Sequence, residues 1–250
     1  MEYFLDTVKT IPKGLGFEHF DLCHILWLLL FALCIAVFGT FYRRWDEKKR
    51  RIFRIVLAAL IVGNEIFKQV CLQVGGNFTV NYLPLHLCSI NIFLVAAHAI
   101  KPTKTLDNFL YAICIPAALL ALFFPTWTKL PLLNFNHLHS FTIHIMLALY
   151  PIVLTIGGDI RPKLREIPKS LLLLAGFAIV ALGVNLALDT NYMYLMRAPK
   201  GTPLVWFQNT FGTHIIGFPV LLVVILALMY IPVIAWERRR NKRAVNPVNP

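Results

Sequence analysis

Charge is what this sequence has least of. Asp, Glu, Lys and Arg make up 14% of the 250 residues and hydrophobic residues 58%, where a water-soluble domain carries about 25% charged residues. That deficit excludes a chain folded wholly in water and makes lipid the solvent for most of it. Acids are scarcer than bases, 12 against 24. In an apolar chain this excess is read through the position of each basic residue, so it is no nucleic-acid footprint. The five cysteines (Cys23, Cys34, Cys71, Cys88, Cys114) are odd in number and lack a C-x-x-C pair, which excludes a disulfide or zinc framework. There is no Gly-rich phosphate loop, no low-complexity segment and no internal repeat of the kind transporters show. The first residues, "MEYFLDTVKTIPKGLGFEHF", have no basic n-region, and no A-x-A site follows the first apolar run. The first span is therefore expected to be kept.

What is present is a series of apolar runs. A membrane-spanning helix needs about 20 mainly apolar residues. Seven segments meet that need, at 21–42, 53–73, 83–100, 106–125, 139–157, 169–190 and 213–235. The expectation is an all-α, polytopic, single-domain chain over 1–250. Pro84 suits a first helical turn, whereas Pro116, Pro151 and Pro219 fall inside spans and are expected to kink them. Eighteen of the 24 Lys and Arg lie in alternate connections, five in the others, and Lys68 within a span. The positive-inside rule then predicts the N-terminus outside and the C-terminus in the cytoplasm, with a basic cytoplasmic tail at 237–250 on anionic headgroups.

The polar residues inside these spans are unevenly placed. With about 1.5 Å of rise per residue, Cys88 and His144 each lie roughly 8 Å below the outer ends of their spans, in "LPLHLCS" and "SFTIHIMLALYP". Asn185 and Asp189, four apart, share a face near the outer end of the sixth span. Asn64, Glu65, Lys68 and Gln69 stripe the outer half of the second, and His24 and His214 stand inside the outer ends of the first and seventh. Of eight histidines only His98 falls near the cytoplasmic side. Ionisable groups at such depth are costly unless they face a bundle interior or a wet cavity, and an outward-opening polar pocket follows. Each residue also has a plain structural explanation. Cys88 can be a small apolar filler, His144 a hydrogen-bonded bundle residue, Glu65 and Lys68 an ion pair that lets the helix insert, Asp189 a helix cap, and His137 and His139 solvated groups at headgroup level. Coincidence at one depth favours a site without naming its chemistry.

Together "LPLHLCS", "SFTIHIMLALYP" and "DTNYMYLMRAP" resemble the bacterial YwaF-like family of integral-membrane proteins, along nearly the whole chain. That family is distantly similar to animal multispan acyltransferases, which remodel ether phospholipids with a cysteine–histidine pair. The resemblance implies that Cys88 is the family cysteine and His144 the family histidine. His86 has no counterpart carried by it.

On this footing the chain is expected to be a multi-pass cell-membrane protein and a lipid acyltransferase or transacylase. Its partners would be membrane lipids and a lipid or small-molecule substrate, with no nucleic acid and no cofactor. Cys88 would attack a lipid ester and His144 would take its proton, with Lys68, Ser89 and Asn185 as donors to the oxyanion. Asp189 would orient a histidine, and His24, Glu65, His86 and His214 would support. Two alternatives stay open. One is a small-molecule receptor or transporter with an extracytoplasmic pocket. The other is a zinc-dependent lipid hydrolase built from several histidines and Asp189, although no H-x-x-x-H pair lies at the right depth and no metal ligands are assigned. The orientation is testable: a reporter fused after Pro250 should be active only in the cytoplasm, and activity confined to the extracytoplasmic side would reverse every depth above.

Overall fold

The computed structural model describes residues 2–199 and 202–245, with side chains as far as 235. Its helices are α1 (Leu22–Arg44), α2 (Glu47–Val74), α3 (Leu87–Ile100), α4 (Lys104–Phe109), α5 (Ile115–Phe123), α6 (Phe135–Gly157), α7 (Ile167–Leu188), α8 (Pro203–Phe211) and α9 (Gly217–Val245). A wide π-helical turn, Leu110–Cys114, joins α4 and α5 into one rod. No strand occurs among the described residues. Six helical segments are long and apolar enough to cross a membrane; the rod Lys104–Phe123 is one of them, and α3 is an apolar helix too short to count.

Caps explain where these helices differ from expectation. Asp46 accepts from Lys49 N at 2.8 Å and starts α2 ahead of residue 53. Asn134 accepts from the backbone of Asn136 and His137 and starts α6 ahead of residue 139. Asp21 caps α1, and the backbone N–H of His24 lowers its carboxyl pKa. The third segment is instead shorter than expected. Pro84 stands outside α3, the Leu85 N–H closes a tight turn onto Leu83, and the helix begins only at Leu87. Its 14 residues rise about 21 Å, short of a hydrocarbon core of about 30 Å. Pro219 lies in the first turn of α9, and Pro232 is the proline inside that helix. The backbone of the expected tail 237–250 is helical as far as Val245; its side chains and residues 246–250 lie outside the described residues.

α6 is the centre. It packs against α1, α2, α3, α5 and the π turn, while α7 and α9 lie at the periphery. Its buried residues occur on every face, so its polar side chains meet protein in all directions, the one condition under which a polar helix is tolerated in lipid. Proline breaks in the helices are matched by donors. Pro151 offers no N–H to Leu147, and the Cys114 thiol donates to the Leu147 carbonyl at 3.4 Å. Pro116 likewise lacks the N–H that Ala112 would receive, and the π turn before it absorbs the mismatch. The Tyr111 hydroxyl from that turn donates to Met229 at 2.7 Å and seats α9.

One end of the bundle is closed by a charged cluster. Asp159 accepts from Arg50 at 2.7 Å, Arg54 at 3.0 Å and the Tyr42 hydroxyl at 2.5 Å. Gly157 is required beside it, because a Cβ there would meet the Tyr42 ring at 2.5 Å. The cluster ties α1, α2 and the end of α6. The other end is closed by the N-terminal segment, where Asn134 donates to the carbonyls of Tyr3 and Asp6. Asp159→Ala should leave two arginine side chains without their carboxylate and lower stability by about 3–5 kcal/mol, measured as the thermal unfolding midpoint in detergent. A change within error would show that water already screens the cluster.

Candidate functional site

Pairing between α3 and α6 sets the level of Cys88 by a route that counting from span ends does not give. His144 lies nine positions into α6, about 13 Å below the helix start rather than 8 Å. Cys88 is the second residue of α3. Near the far end of α3, His98 Nδ1 pairs with the Tyr150 hydroxyl of α6 at 2.8 Å. Going back along α3 from His98 to Cys88 is about 15 Å, which is level with Ser140 of α6. The His144 ring itself leans back to Ser140, with Nδ1 2.6 Å from that carbonyl oxygen. Cys88 also packs against the apolar core to which Cys114 belongs. Cys88, Ser89 and His144 keep part of their surface accessible. No hydrogen bond joins Cys88 to His144.

A carbonyl oxygen only accepts, so the bond to Ser140 places the His144 proton on Nδ1 and leaves Nε2 with a free lone pair. The ring is held in that pose by Trp127, stacked on it at 5.3 Å and 6°. The other histidines are engaged differently. His24 accepts from Phe20 N at 2.9 Å and donates to Leu122 O at 2.7 Å, which makes it a pin between α1 and α5. His137 donates to Leu130 O and accepts from Trp27 Nε1. His139 donates to Asn64 O and turns Nε2 to Glu65 at 3.6 Å. The expectation of solvated side chains fails for both His137 and His139, which are buried, because α6 starts one turn earlier and carries them inward. His214 faces the Tyr194 carbonyl and Gln208 Oε1, and His98 faces Tyr150 and Asp107. His19 is exposed.

Glu65 and Lys68 are buried and paired at 2.6 Å, and Gln69 adds a bond to Glu65 at 2.8 Å. The Lys68 ammonium is within electrostatic reach of His86, His139 and His144. A groove of about 360 Å³ between α2 and α3, lined by Val62, Ile66, Val70, Ile92 and Phe93, ends on Glu65.

Two expected members are placed elsewhere. Asn185 spends its side chain on the turn after α7. Its Oδ1 accepts from Tyr192 N and Thr190 Oγ1, and its Nδ2 donates to Tyr192 O. These three bonds tie its amide to the turn. Asp189 is a left-handed C-cap whose exposed carboxylate pairs with Arg197 at 3.0 Å, so it orients no histidine. A helix-end acid next to a basic loop is satisfied locally in solvent, and i, i+4 spacing with Asn185 does not draw it inward.

The turn that Asn185 organises covers the start of α3. Tyr192 and Tyr194 pack on the His86 ring at 5.2 and 5.6 Å, His86 Nδ1 accepts from Met193 N at 3.4 Å, and the Tyr192 hydroxyl donates to the Val80 carbonyl. Met193 and Tyr194 both hold positive φ, 54° and 57°. Left-handed backbone costs non-glycine residues about 1–2 kcal/mol each and persists where surrounding bonds impose it, often at functional sites. This supporting role of "NYMYLMR" is long-range and was not readable from spacing.

The TMEM164 family model matches residues 15–230. The chain belongs to the TMEM164 family. That is a multispan membrane family, and the helices described above suit it. No curated protein and no solved structure matches the chain. Among the described residues of this TMEM164-family protein, no group of three His, Cys, Asp or Glu stands at metal-binding spacing.

Lys68→Met should leave Glu65 as a lone buried charge and cost about 3 kcal/mol or more. The double replacement Glu65→Gln with Lys68→Met should cost clearly less. Equal losses of thermal stability in the single and double variants would mean that the two side chains are uncoupled.

Proposed function

We propose that this TMEM164-family protein is an integral-membrane lipid acyltransferase or transacylase of the cell membrane, akin to the YwaF-like proteins and distantly to the animal cysteine–histidine enzymes. In this reading Cys88 is the nucleophile and His144 its base. The observation that carries it is the state of the histidines. Among those buried in the bundle, His144 alone combines a proton fixed on Nδ1 with an Nε2 that faces neither a donor nor a carboxylate, and it does so at the level of Cys88.

The chemistry balances without an added group. The thiol proton of Cys88 passes to His144 Nε2 as the sulfur bonds to the ester carbonyl carbon. The carbon–oxygen bond of the ester then breaks, and the leaving alkoxide takes the proton from His144, giving a lysolipid and an acyl-thioester. An acceptor hydroxyl, deprotonated by Nε2, attacks the thioester carbon; the carbon–sulfur bond breaks and the thiolate regains a proton. The α3 N-terminus beneath Cys88 favours the thiolate through its positive end. The groove beside Glu65 suits an acyl chain, being apolar and open to the lipid side of α2 and α3. The topology that fits is seven spans, N-out and C-in, with α3 completing its crossing through the 3-10 turn Val80–Tyr82 and the residues 83–86 that follow.

Cys88→Ala and His144→Ala should each lower acyl transfer between phosphatidylcholine and a lysolipid by at least about three orders of magnitude, and the double variant should be little worse, since the two act as one unit. His19→Ala should retain activity. Undiminished transfer by Cys88→Ala would shift the function to non-covalent binding or to metal-assisted hydrolysis; a bound polar ligand or stoichiometric zinc in the purified protein would tell those two apart.

A further inference from the structure

Buried polar side chains without partners are few in a folded protein, and each calls for a cause. Among the described residues seven buried side-chain atoms lack one: Glu65 Oε2, Asn91 Nδ2 and Oδ1, Trp127 Nε1, Arg54 Nε, Glu166 Oε2 and Tyr230 Oη. Arg54 and Glu166 are held by ion pairs through other atoms or at longer range. Glu65 is paired with Lys68 through its other oxygen. Asn91 is different. It is fully buried, 0% exposed, and neither end of its amide is satisfied. An apolar residue of the same shape would spare the desolvation penalty that such an amide carries, so stability does not explain its presence.

Its place does. Asn91 follows Cys88 by three residues on α3, hence on the same side of the helix. Helical side chains lean toward the N-terminus and cover the preceding turn, which here is the turn of Leu87 and Cys88. That turn is itself short of acceptors. His86, at the N-cap, gives no side-chain bond to it. The first backbone N–H of α3 to find an acceptor is that of Ile90, on the His86 carbonyl. The N–H groups of Leu87 and Ser89 have none among the described residues, and that of Cys88 faces only its own sulfur. Trp127, stacked on the His144 ring, adds a further unpartnered donor on the far side. Unused donors thus lie on the turn that carries Cys88 and against the ring of His144.

We infer that Asn91, with the uncapped first turn of α3, binds the carbonyl oxygen of an acyl group held at Cys88. This rests on the cysteine–histidine reading and names a residue that does not enter it otherwise. When Sγ bonds to the ester carbon, the π pair of the carbonyl moves onto oxygen. In a site within the membrane no bulk water receives that charge, and preorganised N–H donors are worth far more there than in water. The Asn91 Nδ2–H group and the backbone N–H groups of Cys88 and Ser89 donate to the oxyanion, which returns its pair as the alkoxide leaves. The same donors hold the thioester carbonyl for the second transfer. The unoccupied state therefore bears unpaired polar atoms that the substrate satisfies.

The test separates this role from a structural one and from failure of the reading beneath it. Purified protein in phosphatidylcholine nanodiscs is supplied with diacyl phosphatidylcholine bearing an alkyne-terminated acyl chain. Hydroxylamine-labile labelling of Cys88 is followed in time, together with the thermal unfolding midpoint and the rate of Cys88 alkylation by N-ethylmaleimide. Asn91→Leu should slow acylation by about 10²–10³-fold, with the unfolding midpoint held or raised and alkylation unchanged. Asn91→Ala should slow acylation as much. Acylation at the wild-type rate in Asn91→Leu overturns the assignment and leaves the cysteine mechanism standing. A lowered midpoint in both variants overturns it too, because it makes Asn91 a structural residue. Wild-type protein that never carries label on Cys88 overturns the cysteine–histidine reading and this assignment together.

Discussion

A polar group inside hydrocarbon has no water to turn to, and that constraint shapes this bundle. α6 carries three histidines, a serine and a threonine within its first ten residues and can do so only because protein surrounds it. α1, α2, α3 and α5 pack on it, and several of its polar side chains find partners on them. Trp27 reaches His137, Asn64 reaches both Thr142 and His139, and Glu65 faces His139. The apolar helices α7 and α9 need no such enclosure and sit outside.

The interruptions of the helices serve the same end. Pro151 and Pro116 free carbonyls near the centre, and Pro84 delays a helix. Pro151 exposes the Leu147 carbonyl to Cys114. The π turn before Pro116 brings Cys114 toward Cys88 and Tyr111 toward α9. The bend at Pro84 delays the start of α3 to Leu87, and no side-chain cap closes that helix N-terminus. A regular helix through residues 83–100 would have bonded those N–H groups to its own preceding turn. The strained pair Met193 and Tyr194 closes the space above, held by Asn185, His86 and His214.

Against that thrift the unpartnered atoms at Asn91 and Trp127 stand out, and their neighbours are the thiol and imidazole of the proposed reaction. The pattern is the one expected of a preorganised site, in which binding groups are set in place before the substrate arrives. The charged cluster of Asp159 with Arg50 and Arg54, at the opposite end, shows the converse case of a carboxylate whose two oxygens are both matched.

Helical class, the apolar segments, and the burial of Glu65, Lys68, His24 and His214 were legible in the sequence, because hydropathy and i, i+3 spacing are local properties and the cost of charge in lipid acts on each residue by itself. Cys88 and His144 could be named as candidates, but the helix starts assumed for both of their spans proved wrong. The spacing of Asn185 and Asp189 fitted a site equally well, yet one is consumed by a turn and the other by Arg197. Sequence alone thus determined which residues must avoid lipid. Only tertiary structure decided which of them are satisfied by neighbours and which are left free, since a hydrogen-bond partner such as Leu122 for His24 lies 98 positions away and is chosen by how the helices pack. The same packing decides that Asn91, a polar residue in an otherwise largely apolar helix, has no partner among the described residues.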